Sequence, residues 1–107
     1  MPDPLIETWG NYETWIIADW LEHDRKILRK WKQRAAYHVQ KAQSNPDVVR
    51  GIWTVEYCAT AYLVREMSEA FQHAARNFPV PYKSFLTKGM MTVDWAKIAL
   101  SLIRGTQ

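Results

Sequence analysis

Apolar residues recur along much of the chain at intervals of three and four positions, which is the spacing of one face of an α-helix. The clearest stripe runs through the middle of the chain and consists of Ile27, Leu28, Trp31, Ala35, Val39 and Ala42. Asp24 precedes this stripe and is a suitable N-cap, because its carboxylate can accept hydrogen bonds from the free amides of a first turn. The pattern predicts a helix over residues 24–44, which would be roughly 31 Å long.

A helix is also predicted upstream, beginning after Asn11, whose side chain is a good N-cap. We expect its apolar residues, which lie at four-residue spacing with two neighbours, to face the core: Tyr12, Ile16, Trp20, Ile17 and Leu21. The hydrophobic pattern changes near His23, yet no proline or glycine separates the two segments. Residues 12–44 therefore form either two helices with a kink or one continuous rod.

The sequence Ser-Asn-Pro at residues 44–46 predicts a turn after which a helix restarts, with Asn45 as its cap and Pro46 at its first position. Gly51 can bend this helix. One apolar face then follows up to residue 75 and consists of Ile52, Trp53, Leu63, Val64, Met67, Ala70, Phe71 and Ala74. A second apolar set lies on the other side of the first half and consists of Val55, Cys58 and Tyr62. A helix that is covered from two directions is a candidate for the centre of the fold.

The remaining residues predict two further helical segments. Pro81 can open a short helix over residues 81–86, which Gly89 ends. Thr92 then caps a last helix over residues 93–104, with Gly105 beyond its end. No strand-like alternation persists, and a chain of 107 residues suits one domain. We therefore expect an all-α fold, a compact bundle of four or five helices in which residues 1–107 form a single domain.

Three short motifs carry a resemblance to a known family. Residues 9–15 read Trp-Gly-Asn-Tyr-Glu-Thr-Trp, residues 18–24 read Ala-Asp-Trp-Leu-Glu-His-Asp, and residues 93–99 read Val-Asp-Trp-Ala-Lys-Ile-Ala. They resemble small uncharacterised proteins of bacteria, phages and plasmids that share an Asn-Tyr-Glu-Thr-Trp signature. The chain differs from that family at His23, where Asn is usual. The family has no established catalytic residues, so the resemblance implies an accessory role in a mobile element and no particular chemistry.

The same motifs have a physical interpretation. Asn11 and Thr92 are both suitable caps, and each is followed by an acidic residue two positions later and by a tryptophan soon after. We therefore expect Trp15 and Trp95 to anchor the first and last helices against the same core. The alternative is that the motifs form a binding surface.

Composition bears on the class of protein. The only cysteine, Cys58, lies in an apolar segment, which is typical of a buried, reduced thiol. No apolar run approaches the ~20 residues that span a bilayer. The first residues lack the charged and apolar regions of a secretory signal. We expect a cytoplasmic protein without a membrane partner.

Catalytic and metal-ligating patterns are weak. The three histidines are scattered, and we expect His38 and His73 to be solvated on the polar sides of their helices. With a single cysteine, no zinc-type ligand set assembles, and no glycine-rich loop is present to bind phosphate. Cys58 would act as a nucleophile only if the fold brought a histidine to it. The expectation is a protein that is not an enzyme and has no cofactor, no metal site and no catalytic residue.

The distribution of charge gives the strongest functional signal. Between Asp24 and Asp47 the chain carries seven of its fourteen basic residues and no acidic residue. These are Arg25, Lys26, Arg29, Lys30, Lys32, Arg34 and Lys41. The rest of the chain is mildly acidic, so the formal net charge of +3 conceals one cationic helix. Such a helix is either a solvated face paired with acids of the same chain or a contact surface for an acidic partner.

Our leading hypothesis is a non-catalytic accessory protein of phage or mobile-element type. It would bind, and inhibit or modulate, a host protein or nucleoprotein complex with an acidic surface, for example a defence nuclease, as anti-CRISPR proteins do. The predicted contact residues are Arg25, Arg29, Lys30, Lys32 and Arg34, with Tyr37 as an aromatic contact. The alternative is direct, sequence-nonspecific binding of DNA or RNA by the same face, which offers point charges rather than side chains that read bases. The sequence is compatible with more than one oligomeric state.

Overall fold

The computed structural model describes residues 9–76, 88–89 and 91–106, and the regular secondary structure within them is helical, without a strand. Its five principal helices are α1 (Tyr12–His23), α2 (Arg25–Ala42), α3 (Pro46–Val49), α4 (Val55–Ala75) and α5 (Trp95–Thr106). The all-α class predicted from the sequence is therefore confirmed. The short helix predicted over residues 81–86 lies outside the described residues.

Asp24 separates α1 from α2, so residues 12–44 form two helices rather than one rod. Its backbone is extended, with φ −110° and ψ 97°. Its amide still donates to the carbonyl of Trp20, 3.0 Å away, and closes α1. Its carboxylate accepts from the amide of Ile27 at 3.2 Å and opens α2. A side chain that satisfies the first free amides of a new helix makes this break favourable.

Helix α1 buries only part of the face that we predicted, since Leu21 is buried and Ile17 packs against the core. Thr14, Ala18 and Leu21 are buried. Tyr12, Ile16 and Trp20 are 55%, 40% and 41% exposed, so the prediction that these three residues face the core was wrong. Thr14 and Ala18 therefore face inward, and the Thr14 hydroxyl accepts a hydrogen bond from the amide of Asp94.

The segment between α2 and α4 contains two separate helix starts. Asn45 accepts from the amide of Asp47 at 2.9 Å and Pro46 occupies the first turn of α3, as predicted. Gly51 then has a φ of +79°, a conformation that glycine adopts without steric cost. Thr54 caps α4 by accepting from the amide of Tyr57 at 3.0 Å. Ile52 consequently lies outside the helix and is 64% exposed, so its predicted place on the buried face was wrong.

Helix α4 lies at the centre of the fold, as its two apolar sets predicted. It packs against both α2 and α5, and these two helices also contact each other. Its buried residues are Cys58, Ala59, Leu63, Met67 and Phe71. The stripe of α2 is confirmed as well, since Trp31, Ala35 and Ala42 are buried and its other members pack beside them.

The start and the end of α5 differ from the prediction. Asp94, rather than Thr92, caps the helix, because its carboxylate accepts from the amide of Lys97 at 3.2 Å. The hydroxyl of Thr92 instead donates to the carbonyl of Gly89 at 2.7 Å. At the other end α5 continues through Gly105, so Gly105 does not lie beyond it.

Candidate functional site

The motifs near the two ends of the chain meet in the structure. Asn11 donates from Nδ2 to the carbonyl of Thr92 at 2.8 Å. The hydroxyl of Thr14 accepts from the amide of Asp94 at 2.7 Å. The side-chain oxygen Oδ1 of Asn11 caps α1 by accepting from the amide of Thr14 at 2.8 Å. The motifs at residues 9–15 and 93–99 therefore form one structural joint between α1 and α5, which supports the folding interpretation of these motifs.

The two tryptophans of the motifs have different environments. Trp95 is buried, and its ring centroid lies 5.1 Å from that of Phe71. Trp31 of α2 stacks on the same Phe71 ring at 6.1 Å. Trp15 is only half-buried, and its ring neighbour is Tyr12, 5.7 Å away within α1. Of the two expected anchors, Trp95 is part of the core cluster and Trp15 is not.

The basic residues of α2 are divided between two flanks. Successive residues of an α-helix are rotated by about 100°, so Gln33 and Gln40 point directly away from the buried stripe. On one side of them, which we call the groove flank, lie Arg25, Arg29 and Lys32. On the other side, which we call the aromatic flank, lie Lys26, Lys30, Arg34, Tyr37 and Lys41. The six predicted contact residues therefore do not share one surface, because Lys30, Arg34 and Tyr37 face away from the other three.

The aromatic flank is largely engaged within the molecule. The Nε of Arg34 donates to both carboxylate oxygens of Glu66 of α4, at 3.0 and 2.8 Å. The Arg34 guanidinium also lies 4.3 Å from the ring centroid of Tyr37, and the ammonium of Lys41 lies 5.7 Å from it. Lys30 lies 5.2 Å from the ring centroid of Trp31. These cation–π contacts hold the cations along the helix surface.

Glu66 also binds His38, which joins α2 to α4 at a second point. The Nε2 of His38 lies 2.8 Å from Glu66 Oε1, and the His38 ring stacks on Tyr62 at 6.2 Å. The His38 side chain is only 12% exposed, so the expectation of a solvated histidine was wrong for His38. Burial acts to raise the pKa of Glu66, but hydrogen bonds from His38 and Arg34 and their charges outweigh it, so the pKa lies below its usual value.

His38 and Cys58 do line the same cavity, of about 250 Å³, together with Tyr37 and Tyr62. Burial, with a smaller contribution from the charge of Asp47, raises the pKa of the Cys58 thiol. The Nε2 of His38 is already engaged by Glu66. A protonated thiol is a poor nucleophile, and no hydrogen bond among the described residues joins Cys58 to His38. The arrangement therefore favours packing as the role of Cys58.

The groove flank differs from the aromatic flank in its surroundings. Arg25, Arg29 and Lys32 are exposed, and none of them forms an ion pair with a carboxylate of the described residues. They border a shallow groove of about 430 Å³ whose lining also includes Leu28. From the sequence we assigned Leu28 to the core stripe, and we did not predict that it would also line a groove on the surface. Leu28 lies at the edge of the apolar stripe of α2 that is nearest to Arg25 and Lys32. This position indicates that part of its side chain reaches the surface.

No three side chains among the described His, Cys, Asp and Glu residues come together as a possible set of metal ligands. Within the same segments, no helix combines the length and the apolar character needed to cross a bilayer.

Comparisons with protein-family models, with curated protein sequences and with solved structures each gave no significant match.

Proposed function

We propose that this protein is a non-catalytic binding protein that docks the groove flank of α2 onto an acidic surface of another macromolecule. The observation that supports this proposal is the contrast between the two flanks. Arg25, Arg29 and Lys32 share one exposed face without a described carboxylate partner, whereas Arg34 is paired with Glu66. A cation without an internal partner can exchange its hydration for contact with a partner's carboxylate. Such association is accelerated by opposite charge and weakened by salt.

We further propose that the partner is a host protein or nucleoprotein complex, such as a defence nuclease, and that occupation of its acidic surface inhibits or modulates it. The resemblance of residues 9–15 and 93–99 to proteins of phages and plasmids supports this choice of partner. These motifs form the joint between α1 and α5, which supports a structural role for them. We therefore place binding of the partner at another surface of the protein.

Direct binding of DNA or RNA is the second candidate function. It is favoured by the spread of basic residues over both flanks and along most of the 18 residues of α2. A helix of this length extends over about 27 Å, enough to contact several phosphates. Both flanks consist mainly of lysine and arginine, whose charges contact the phosphate backbone of any sequence. Binding would therefore depend on the nucleic-acid backbone and not on its sequence.

Two variants with the same change of charge test the leading proposal. The groove-flank variant combines Arg25→Glu, Arg29→Glu and Lys32→Glu. The control variant combines Lys26→Glu, Lys30→Glu and Lys41→Glu. Each immobilised protein is exposed to a bacterial lysate at about 150 mM salt, and retained proteins are quantified by mass spectrometry. We expect a complex that the wild-type protein and the control variant retain and that the groove-flank variant loses. Equal retention by all three proteins would contradict the proposal.

Gel mobility shifts of labelled duplex and single-stranded DNA distinguish the two candidate functions. The leading proposal expects no shift at about 150 mM salt. A shift that collapses as salt increases, and that both charge-reversed variants abolish, would favour direct binding of nucleic acid, because phosphate contacts release counterions.

A further inference from the structure

A third cavity, of about 280 Å³, lies where α1, α2 and α5 meet, beside the groove flank. Its apolar lining includes Trp9, which precedes α1, and residues of all three helices, namely Ala18, Leu21, Leu28, Ile98 and Leu102. Ser101 and Gly105 of α5 also line it. Because Ala18, Ser101 and Gly105 have small side chains or none, the three helices leave a cleft between their larger residues.

The cleft and the groove share two lining residues, Leu28 and Lys32. A molecule that fills the cleft would therefore continue directly onto the face that carries Arg25 and Arg29. The cleft and the groove together place an apolar cavity beside a cationic surface. Such a combination suits a ligand that has an apolar group next to negative charges.

The chemistry of the lining restricts the ligand. Half of the lining residues are aliphatic and Trp9 adds an aromatic surface, so the cleft favours an apolar group. Glu22 also lines the cleft and disfavours an anionic group inside it. Negative charges are therefore expected on the groove flank, and an apolar group in the cleft. The volume lies at the lower end for small-molecule sites, which fits one large side chain.

We propose that the cleft receives a bulky apolar side chain of an acidic peptide segment, whose carboxylates lie against Arg25, Arg29 and Lys32. This inference rests on the proposed function and specifies the chemistry of the partner. An apolar side chain buried at the centre of a contact typically contributes more affinity than the exposed ion pairs around it. The cleft would thus supply affinity, and the groove flank would supply rate and orientation.

Two synthetic peptides test the inference on the full-length protein. The first is a short polyglutamate peptide with a single central phenylalanine, and the second has alanine in its place. We expect the phenylalanine peptide to bind about tenfold more tightly, because burial of an aromatic side chain is favourable. It should also shift the methyl NMR signals of Leu21, Leu28 and Leu102. Equal affinity of the two peptides, no binding by either, or unshifted methyl signals would overturn the inference.

A variant that fills the cleft gives an independent test. Ser101 is an exposed lining residue, so Ser101→Phe is expected to occupy the cleft without removing a core side chain. This variant should lose the tenfold preference and keep the affinity for the alanine peptide. Ala96→Phe, at an exposed position of α5 outside the cleft lining, is the control and should behave as the wild-type protein. Retention of the preference by Ser101→Phe would overturn the inference.

The same peptides separate failure of this inference from failure of the proposed function. If the groove-flank variant binds neither peptide, while the wild-type protein binds both equally, the cleft is not used and the proposed function stands. If the groove-flank variant binds both peptides as tightly as the wild-type protein, the cationic face is not the contact surface and the proposed function fails.

Discussion

The hydroxyl of Thr14 and the backbone amide of Asp94 form a 2.7 Å hydrogen bond across 80 positions of the chain. Thr14 is fully buried, so its side chain has no access to water as an alternative partner. The bond joins α1 to the residue that caps α5, and Asn11 adds a second bond to the same segment. Residues near both ends of the sequence therefore stabilise one joint between α1 and α5.

Loss of this joint should destabilise the protein. Thr14→Val keeps the shape of the side chain but removes the acceptor, which leaves the amide of Asp94 without its partner. We expect a loss of about 1–3 kcal/mol in the free energy of unfolding, measured by urea denaturation. Thr60→Val is a matched control, because the Thr60 hydroxyl is buried and has no hydrogen-bond partner among the described residues. The control should be neutral or stabilising, and an equal effect of the two substitutions would disprove a specific role for the bond.

Glu66 should make stability depend on pH. Because its pKa in the folded protein is lowered, the ionised Glu66 carboxylate, hydrogen-bonded to His38 and Arg34, stabilises the fold above the unfolded pKa of 4.5. This stabilisation is lost as the pH falls from there through the folded pKa. Glu66→Gln should therefore cost about 1 kcal/mol near neutral pH and nothing at the acidic limit. Thermal melts between pH 3 and pH 7 measure the difference.

Glu69→Gln is the control for this experiment. Glu69 pairs with Arg65 at 3.3 Å, but both side chains are more than two-thirds exposed. A solvated pair of this kind contributes little, so Glu69→Gln should leave the pH profile unchanged. A profile of Glu66→Gln parallel to that of the wild-type protein at every pH would show that the Glu66 pairs do not stabilise the fold.

The two flanks of α2 should respond differently to charge reversal. Arg34→Glu removes the ion pair with Glu66, places a like charge beside it and removes the contact with Tyr37. We expect it to destabilise the protein by at least about 1 kcal/mol. Arg29→Glu, on the exposed groove flank, should change stability by less than about 0.5 kcal/mol. Circular-dichroism melts compare the two, and equal losses would mean that the groove flank is also needed for folding.

The Cys58 thiol should be unreactive in the folded protein. It is fully buried, and burial raises its pKa, so little thiolate is present near neutral pH. Labelling by a thiol reagent should be at least about a hundredfold slower than in urea, because it requires opening of the fold. Rapid labelling of the native protein that levels off below pH 8 would indicate an activated thiol and would support a catalytic pair with His38.

Those features of the fold that depend on neighbouring residues could be predicted from the sequence. Asp24, Asn45 and the stripe through Trp31 and Ala35 were predicted correctly, since a cap bonds an amide two or three residues away and a stripe follows helical periodicity. The chain also determined by itself that one segment would carry a concentrated positive charge. The conclusion that cations are present on α2 needed no tertiary structure.

Tertiary packing decided which side chains are buried and which basic groups of α2 are free to bind a partner. Helix α1 buries Ala18 and leaves Trp20 41% exposed, and this choice depends on the helices packed around it, which periodicity does not encode. Arg34 is paired with Glu66, 32 positions away, and is therefore not free to bind a partner, whereas Arg29 forms no ion pair with a described residue. The cleft beside Lys32 exists only because small residues of separate helices meet there. The hydrogen bonds of a helix join residues that are close in sequence, so a helix can be predicted from the sequence. The pairing of charges and the space between helices depend on residues that are distant in sequence.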